Sequence, residues 1–441
     1  MKYIPNTPEG TRDRLFGECM ERRSVQNQLT RVFRQRGYTE IMTPEMEYYD
    51  VFTLAGNNIP QENLTKVIDR SGKICVMRPD MTTPIARVAG TKLKDMVLPR
   101  RFFYNGTVKG NSSEIPQCGI ELIGAGGIKA DLEVIAAAVE SMKACGLEKF
   151  HVELGHAGIF RLFADRLDMD EEETEKMRSL IGQFMIPNMW LAGSPLASII
   201  ASVSLVNTRQ MLYSAAFAPA CKGVRKRLAF LFGGVEVLDE AEALQGGPTE
   251  VTAYLRTLYD TLCAAGFGDH VKFDLGMVHQ LDYYTGVIFR GYAEGAGVAV
   301  LSGGRYDNLA EYYTDKQLPG VGISIGLTRL FYVLGEQGML NPDLPTAAAD
   351  VLVIPMGEEQ QGYAIATATA LREAGIRTQL YAEKKKFKAR ITYAAKMGIP
   401  YAMFLGETEE QDKVVALKDL NKGEQVTVSF KEAVKLIQDG I

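Results

Sequence analysis

The sequence predicts an α+β fold: an antiparallel sheet with flanking helices and a helical insertion, followed by a small C-terminal α/β domain. Three observations predict it. Short β-like runs recur through residues 1–335 without regular alternation with helices. A stretch at about 157–266 is helical in its periodicity and poor in strand signals. From 349 to 441 apolar strands and helices alternate, after a Gly- and Pro-containing linker at 336–348.

At 441 residues the chain has room for two or three domains. Its 46% hydrophobic and 23% charged content is ordinary for a soluble protein, and a net charge of −5 does not suit a chain that coats nucleic acid. The six cysteines form no CxxC pair, and with four histidines no metal cluster is visible. The start, Met1 to Gly10, has no apolar signal core, and no run reaches the ~18 apolar residues of a membrane span. The expectation is a cytoplasmic protein with reduced thiols and no membrane contact.

A helix is expected from about Arg14 to Gln35, with Met20, Val25, Leu29, Val32 and Phe33 on one face and Gly37 as its stop. Strands are expected at Ile41 to Pro44, Ile74 to Arg78, Phe102 to Val108 and Gly119 to Ile123, the last two joined by a short polar connection. An amphipathic helix from Ala130 to Cys145 and a strand from Phe150 to Leu154 follow. Within the insertion, Met177 to Phe184, Leu228 to Leu231 and Leu255 to Leu262 carry helical spacing. Strands resume at Val271 to Leu275, Tyr284 to Tyr292 and Val298 to Leu301, and a helix opens near Ile323. In the last domain, strands at Val351 to Pro355, around Thr378 to Leu380 and at Tyr401 to Leu405 enclose helices from about Glu358 to Ala374 and Lys388 to Met397.

Four groups of residues carry chemistry. Asp80, Thr82 and Thr83 follow a strand and open a helix, with Pro84 in its first turn, so they suit helix capping. Asp80 and Thr82 also suit an ammonium group held by charge-assisted bonds. Gln117 and Glu121 share one face of a strand, and Glu121 is flanked by Ile120, Leu122 and Ile123. A carboxylate in such a strand needs a partner. Leu281 to Gly286 and Ser302 to Asp307 are dense in tyrosine, glycine and charge, as a ligand wall or a turn would be. Gly124 to Gly127 follows a strand but lacks dinucleotide-binding spacing, and no phosphate-binding Walker sequence occurs. The run Lys384 to Arg390 reads as a solvated helix start.

Together these residues resemble histidyl-tRNA synthetase over nearly the whole chain. Pro44 sits at the motif 1 proline, Phe102 to Gly124 resembles the motif 2 hairpin, and Gly326 to Leu330 with Arg329 resembles motif 3. Leu281 to Gly286 and Gly303 to Asp307 resemble segments particular to the histidine enzyme, and residues 349–441 resemble its anticodon-binding domain. In detail the chain is more similar to a synthetase paralogue, the regulatory subunit of ATP phosphoribosyltransferase. Thr7 to Asp13, Glu47 to Phe52, Met77 to Arg87 and Ile115 to Ala125 carry that likeness.

The resemblance implies a selective change. A synthetase places arginine on the ATP α-phosphate, because a bidentate guanidinium stabilises the developing charge. Around Lys109 and Gly110 there is none, and where a second catalytic arginine precedes Leu281 this chain has His279. The amino-acid residues Asp80, Thr82, Gln117, Glu121, Tyr283 and Tyr284 remain. The expectation is a non-catalytic histidine sensor with L-histidine as ligand and no cofactor. It would form a homodimer through the motif 1 region, inside a hetero-oligomer with a short-form catalytic subunit, and would not bind tRNA. Asp80 and Thr82 would hold the ammonium end, Glu121 and Tyr284 the imidazole, with Gln117 and Tyr283 lining the pocket. A divergent histidine–tRNA ligase is the alternative, with Lys109 replacing the arginine. A free-standing tRNA- or amino-acid-binding protein is a third. Arg329 and the C-terminal domain are departures from the regulatory family, which often lacks both.

Overall fold

The structure, a computed structural model, describes residues 6–8, 10–53, 59, 61–110, 113–166, 231–277, 283–294, 296–340 and 347–440. The chain divides into two units, residues 1–14 with 21–340 and residues 15–20 with 341–441.

The helix α1 (Phe16–Gln35), in the first unit from Glu21 onward, buries Val25, Leu29 and Phe33, three of the five residues on its predicted face. There follow β1 (Thr39–Glu40), β2 (Met46–Tyr48), α2 (Tyr49–Thr53), β3 (Lys66–Ile68), β4 (Ile74–Met77) and α3 (Thr82–Gly90). Next come β5 (Arg100–Gly110), β6 (Ser113–Ile123), α4 (Ile128–Ala144), β7 (Phe150–His156) and α5 (Ala157–Arg166). After residue 230 the described chain continues with β8 (Phe232–Gly233), α6 (Glu236–Gln245), α7 (Glu250–Ala264), β9 (Val271–Asp274), β10 (Val287–Ala293), β11 (Ala299–Tyr306), β12 (Gly320–Gly326) and α8 (Leu327–Glu336). Of the expected insertion, Met177 to Phe184 and Leu228 to Phe230 lie outside the described residues. Leu255, Leu258 and Leu262 of α7 pack into the core of the main sheet. The middle of the expected linker, 341–346, also lies outside the described residues.

Nine strands form one sheet in the order β1-β5-β6-β12-β11-β10-β7-β9-β8, antiparallel except for β1 with β5 and β7 with β9. Its two faces differ sharply. Ile120, Ile323, Gly303, Phe289 and Leu154 lie in register across five strands, and with Leu122, Val321 and Ile325 they face α4 in the core. The other face carries Glu121, Gly322, Gly304, Ile288 and Gly155, and beside that row Gly119, Ser324, Ser302, Arg290 and Glu153. One face makes the core; the other, small and polar, floors a cleft.

Five expectations from the sequence do not hold in the structure. Ile323 does not open a helix; it is the middle of β12, and the helix starts at Leu327. Val321, Ile323 and Ile325 alternate with Gly320, Gly322, Ser324 and Gly326, a period-2 pattern obscured by glycines that disfavour strands. Ser302 to Tyr306 continue β11 and are not a turn. The motif 2 hairpin extends to Gly110 and Ser113, with Pro116 opposite Thr107 inside the ladder. Ile41 to Pro44 is not a strand; pairing occurs at Thr39 and Glu40, and Ile41 adds one hydrogen bond to Phe103. Tyr284 to Gly286 precede β10 rather than open it.

The second unit holds β13 (Val351–Pro355), α9 (Gln361–Glu373), β14 (Thr378–Leu380), α10 (Phe387–Lys396), β15 (Tyr401–Leu405), α11 (Glu407–Asp412), β16 (Val414–Asp419), β17 (Gln425–Ser429) and α12 (Phe430–Gly440). Its sheet runs β14-β13-β15-β16-β17. Val351, Val353, Met403 and Leu405 pack in one core with Ala364, Leu371 and Ile437, and Leu352, Ile354 and Phe404 in another with Ala394. Burial on both faces explains why β13 and β15 read as continuous apolar runs. Lys384 pairs with Glu358, and Arg390 donates to the carbonyls of Lys385 and Pro355, as befits a solvated helix start.

Candidate functional site

Glu121 is the centre of the cleft. It projects from β6 on the polar face and is 1% exposed. Thr82 Oγ1 donates to its Oε1 at 2.7 Å, and the Tyr306 hydroxyl donates to its Oε2 at 2.5 Å. The space exists because β12 has glycine beside it. A Cβ at Gly322 would stand 1.8 Å from Glu121 Oε2. Likewise a Cβ at Gly304 would meet the Tyr284 ring at 2.7 Å. The glycines that hide β11 and β12 from a propensity reading are thus the ones that let polar side chains lie flat on the sheet.

Burial pushes the Glu121 carboxyl up to about 8, against the two hydroxyl bonds, with the nearby Asp80 charge adding to the rise. Asp80 precedes α3 at the rim of the cleft. Burial raises it to about 6, opposed by bonds from Thr83 N at 2.7 Å, Thr83 Oγ1 at 3.0 Å and Thr82 N–H. Of the three expected caps, then, Asp80 serves the helix N-terminus, while Thr82 turns its hydroxyl away to Glu121. Tyr283, 9% exposed, stacks tilted on Tyr284 with ring centroids 4.8 Å apart and edge-on to Tyr306 at 6.0 Å. Burial raises all three phenols, so they remain neutral donors. Gln117 lies further along the same strand face as Glu121, where its Oε1 accepts from Ser324 Oγ at 2.9 Å.

The structure therefore brings Asp80, Thr82, Glu121, Tyr283 and Tyr284 into one cluster, with Gln117 two positions along the strand face. It also adds Tyr306, which the sequence placed in a candidate ligand-wall segment without a role of its own, and Ser324 and Tyr104, which it gave only as fold positions; the Tyr104 hydroxyl reaches Ser324 and the Ile323 carbonyl. Tyr306 was legible as part of a segment that read as a ligand wall or a turn; once β11 is a strand, period 2 puts it on the cleft face.

The other end of the cleft differs. Lys109 pairs with Glu114 across the hairpin, Nζ to Oε1 at 2.5 Å. Gly110 ends β5, with room for a Cβ limited by Ile115 at 3.2 Å. His279 lies outside the described residues. Arg329 on α8 donates to the Ala299 carbonyl at 3.0 Å, and its pKa is lowered by burial and by the charge of Arg290. Arg290, between Ser302 and Glu153 in the polar row, also acts on Tyr284. It is a cleft guanidinium that no motif pointed to.

Comparison with known proteins places this geometry in a class. Residues 10–330 match the family model of histidyl-tRNA synthetase, and residues 350–440 that of the anticodon binding domain. The histidyl-tRNA synthetase of Nostoc superposes with a TM-score of 0.72 at 25% identity, covering 100% of both chains. A Bacillus halodurans protein described as an ATP phosphoribosyltransferase regulatory subunit/histidyl-tRNA synthetase gives 0.73 at 27% identity, over 92% of this chain and 99% of that one. The fold is thus that of the class II synthetases. In sequence, the ATP phosphoribosyltransferase regulatory subunit of Clostridium kluyveri is 36% identical over 85% of this chain and 92% of its own length. That of Acetivibrio thermocellus is 35% identical over 97% and 98%. The chain belongs to the family of ATP phosphoribosyltransferase regulatory subunits. The second match spans nearly the whole chain, so the C-terminal unit is shared with a named regulatory subunit and is not a departure from the family.

Among the described residues no helix is long and apolar enough to cross a membrane, and no group of three or more potential ligands could hold a metal ion.

Proposed function

We propose that this chain is the histidine-sensing, non-catalytic subunit of a short-form ATP phosphoribosyltransferase, acting in the first step of L-histidine biosynthesis. The observation that carries the reading is the contrast within the cleft: Glu121 is buried and ringed by hydroxyls, whereas Lys109, which would have to replace the missing arginine, is neutralised by Glu114. L-histidine would place its ammonium at Asp80 and Thr82 and its imidazole between Glu121 and Tyr284, with Gln117 and Tyr283 lining the pocket. No cofactor is needed. Feedback then requires only that histidine bind two states of the complex unequally.

The proton count suits the ligand. Glu121 protonated and imidazole neutral, or Glu121 ionised and imidazole protonated, hold the same single shared proton, so binding near pH 7 exchanges none with solvent. The three-stranded sheet β2-β4-β3 follows the motif 1 proline and exposes apolar side chains on both faces, Met46 and Tyr48 on one and Ile68 and Ile74 on the other, which supports a homodimer there.

The test has two arms. Isothermal calorimetry of the purified chain with L-histidine should give saturable binding that Glu121→Ala weakens without unfolding. Histidine-dependent ATP–pyrophosphate exchange should be absent, since losing one electrostatic contact typically costs about 100- to 1000-fold. Robust exchange would favour the ligase. No effect of the chain on a short-form catalytic subunit would favour a free-standing binding protein.

A further inference from the structure

A second cavity, of about 450 Å³, lies at the ends of strands that also build the Glu121 cleft, and its lining includes His156, Tyr254, Thr285, Arg305, Asp307 and Glu311. The two sites share a partition one strand layer thick. Tyr284 and Thr285 are consecutive, as are Arg305 and Tyr306. In each pair the tyrosine belongs to the Glu121 cleft and its neighbour lines the second cavity. Gly286 makes this possible on one side, since a Cβ there would meet Arg305 Cδ at 2.8 Å.

The cavity is polar and its charges are arranged in order. At its base Arg305 is fixed by Asp131 through Nε at 3.2 Å and Nη2 at 2.5 Å, by the Gly127 carbonyl at 3.0 Å and by Asp307 at 3.1 Å. Tyr254 donates its hydroxyl to the same Asp131. His156 accepts the Gly158 N–H on Nδ1 at 3.0 Å, so its proton sits on Nε2 and the ring has a donor to offer. Burial and the Arg305 charge hold that ring neutral, with a pKa lowered to about 4. Asp131 offsets Arg305, so the carboxylates of Asp307 and Glu311 leave the rim negative. Donors at the base and carboxylates at the rim make the cavity dipolar.

We propose that this cavity is a second ligand site, which takes a small dipolar molecule of amino-acid to dipeptide size. Its acceptor end meets His156 and its ammonium end meets Asp307 and Glu311. Because Tyr284–Thr285 and Arg305–Tyr306 are common to both sites, an occupant here biases the Glu121 cleft. This coupling is reciprocal, each ligand changing the other's affinity by the same factor. The binding stands by itself; the coupling rests on the reading of the Glu121 cleft as the histidine site.

Calorimetry of the full chain with glycylglycine as probe tests it. The expected result is saturable one-site binding, weakened about tenfold by Glu311→Gln, as loss of a charge-assisted bond implies, and abolished by the cavity-filling Gln317→Trp at the exposed rim. N-acetylglycine, without the ammonium, and ethanolamine, without the carboxylate, should each bind at least about tenfold more weakly. Added histidine should shift the probe's Kd, and the probe should shift histidine's Kd equally. Absence of saturable binding, or binding untouched by both rim variants, overturns the site. Binding removed by Glu121→Gln alone places the probe in the first cleft and also overturns it. Equal probe affinity with and without bound histidine overturns the coupling alone. A chain that binds no histidine sinks the proposed function, while glycylglycine still decides this cavity.

Discussion

The two ends of the main cleft are built from one hairpin, yet they treat charge in opposite ways. At the Glu121 end, the hydroxyls of Thr82 and Tyr306 are aimed at a carboxyl that burial has pushed up to about 8. At the turn of the same hairpin, Lys109 and Glu114 satisfy each other across the ladder. A buried group whose own partners cannot fully offset its desolvation gains most from a ligand. A paired surface cation gains little. The presence of a cation in a motif is therefore not the same as an available charge.

The largest effect that would break this comparison is at Glu121. Glu121→Ala should weaken histidine binding by about 1.5–3 kcal/mol, roughly 10- to 150-fold, by calorimetry; unchanged affinity would move the site elsewhere. Gly322→Ala should act nearly as strongly from outside the ligand shell. Its Cβ would occupy the place of Glu121 Oε2, so chemical denaturation should show a loss of about 1–3 kcal/mol together with lost histidine affinity. A variant as stable and as tight as the parent would show that the carboxyl can sit elsewhere.

The pH dependence sharpens the same contrast. Affinity needs protonated Glu121, lost above about 8, and ionised Asp80, lost below about 6. Calorimetry across pH should therefore find a maximum between those values, with affinity falling about tenfold per unit on the alkaline side. Glu121→Gln should abolish that alkaline limb; a persistent limb would assign it to another group. Stability of the ligand-free protein carries the matching sign. Glu121 binds its proton in the folded state up to about pH 8 but in the unfolded state only to its ordinary value of 4.5. Its contribution is thus greatest below that value and is lost as pH rises to about 8. Urea unfolding of Glu121→Gln should show a flatter profile over this window. Smallest of all, Lys109→Ala should change histidine affinity by less than about threefold and stability by at most ~1 kcal/mol; a large loss would return the hairpin turn to the binding machinery.

The amphipathic helices, the buried strands of the C-terminal unit and the shared face of Gln117 and Glu121 were all legible, because each rests on a periodicity that one element sets for itself. The strand β12 and the end of β11 were not. Their glycines carry no side-chain signal, and their reason for being glycine lies on neighbouring strands, in Glu121 and Tyr284. Tyr306 was legible only as a member of a ligand-wall or turn segment, because its direction depends on β11 being a strand there, and Arg290, although on an expected strand, belongs to no motif.

The sequence by itself determined which residue types the cleft contains and that an arginine is missing from the hairpin, since identity and spacing are local facts. Tertiary structure alone decided that Glu121 is held neutral near pH 7, that Lys109 is already paired, and that a second cavity shares strands with the first. Desolvation, cross-strand pairing and the two sides of a sheet exist only once distant segments have been brought into register.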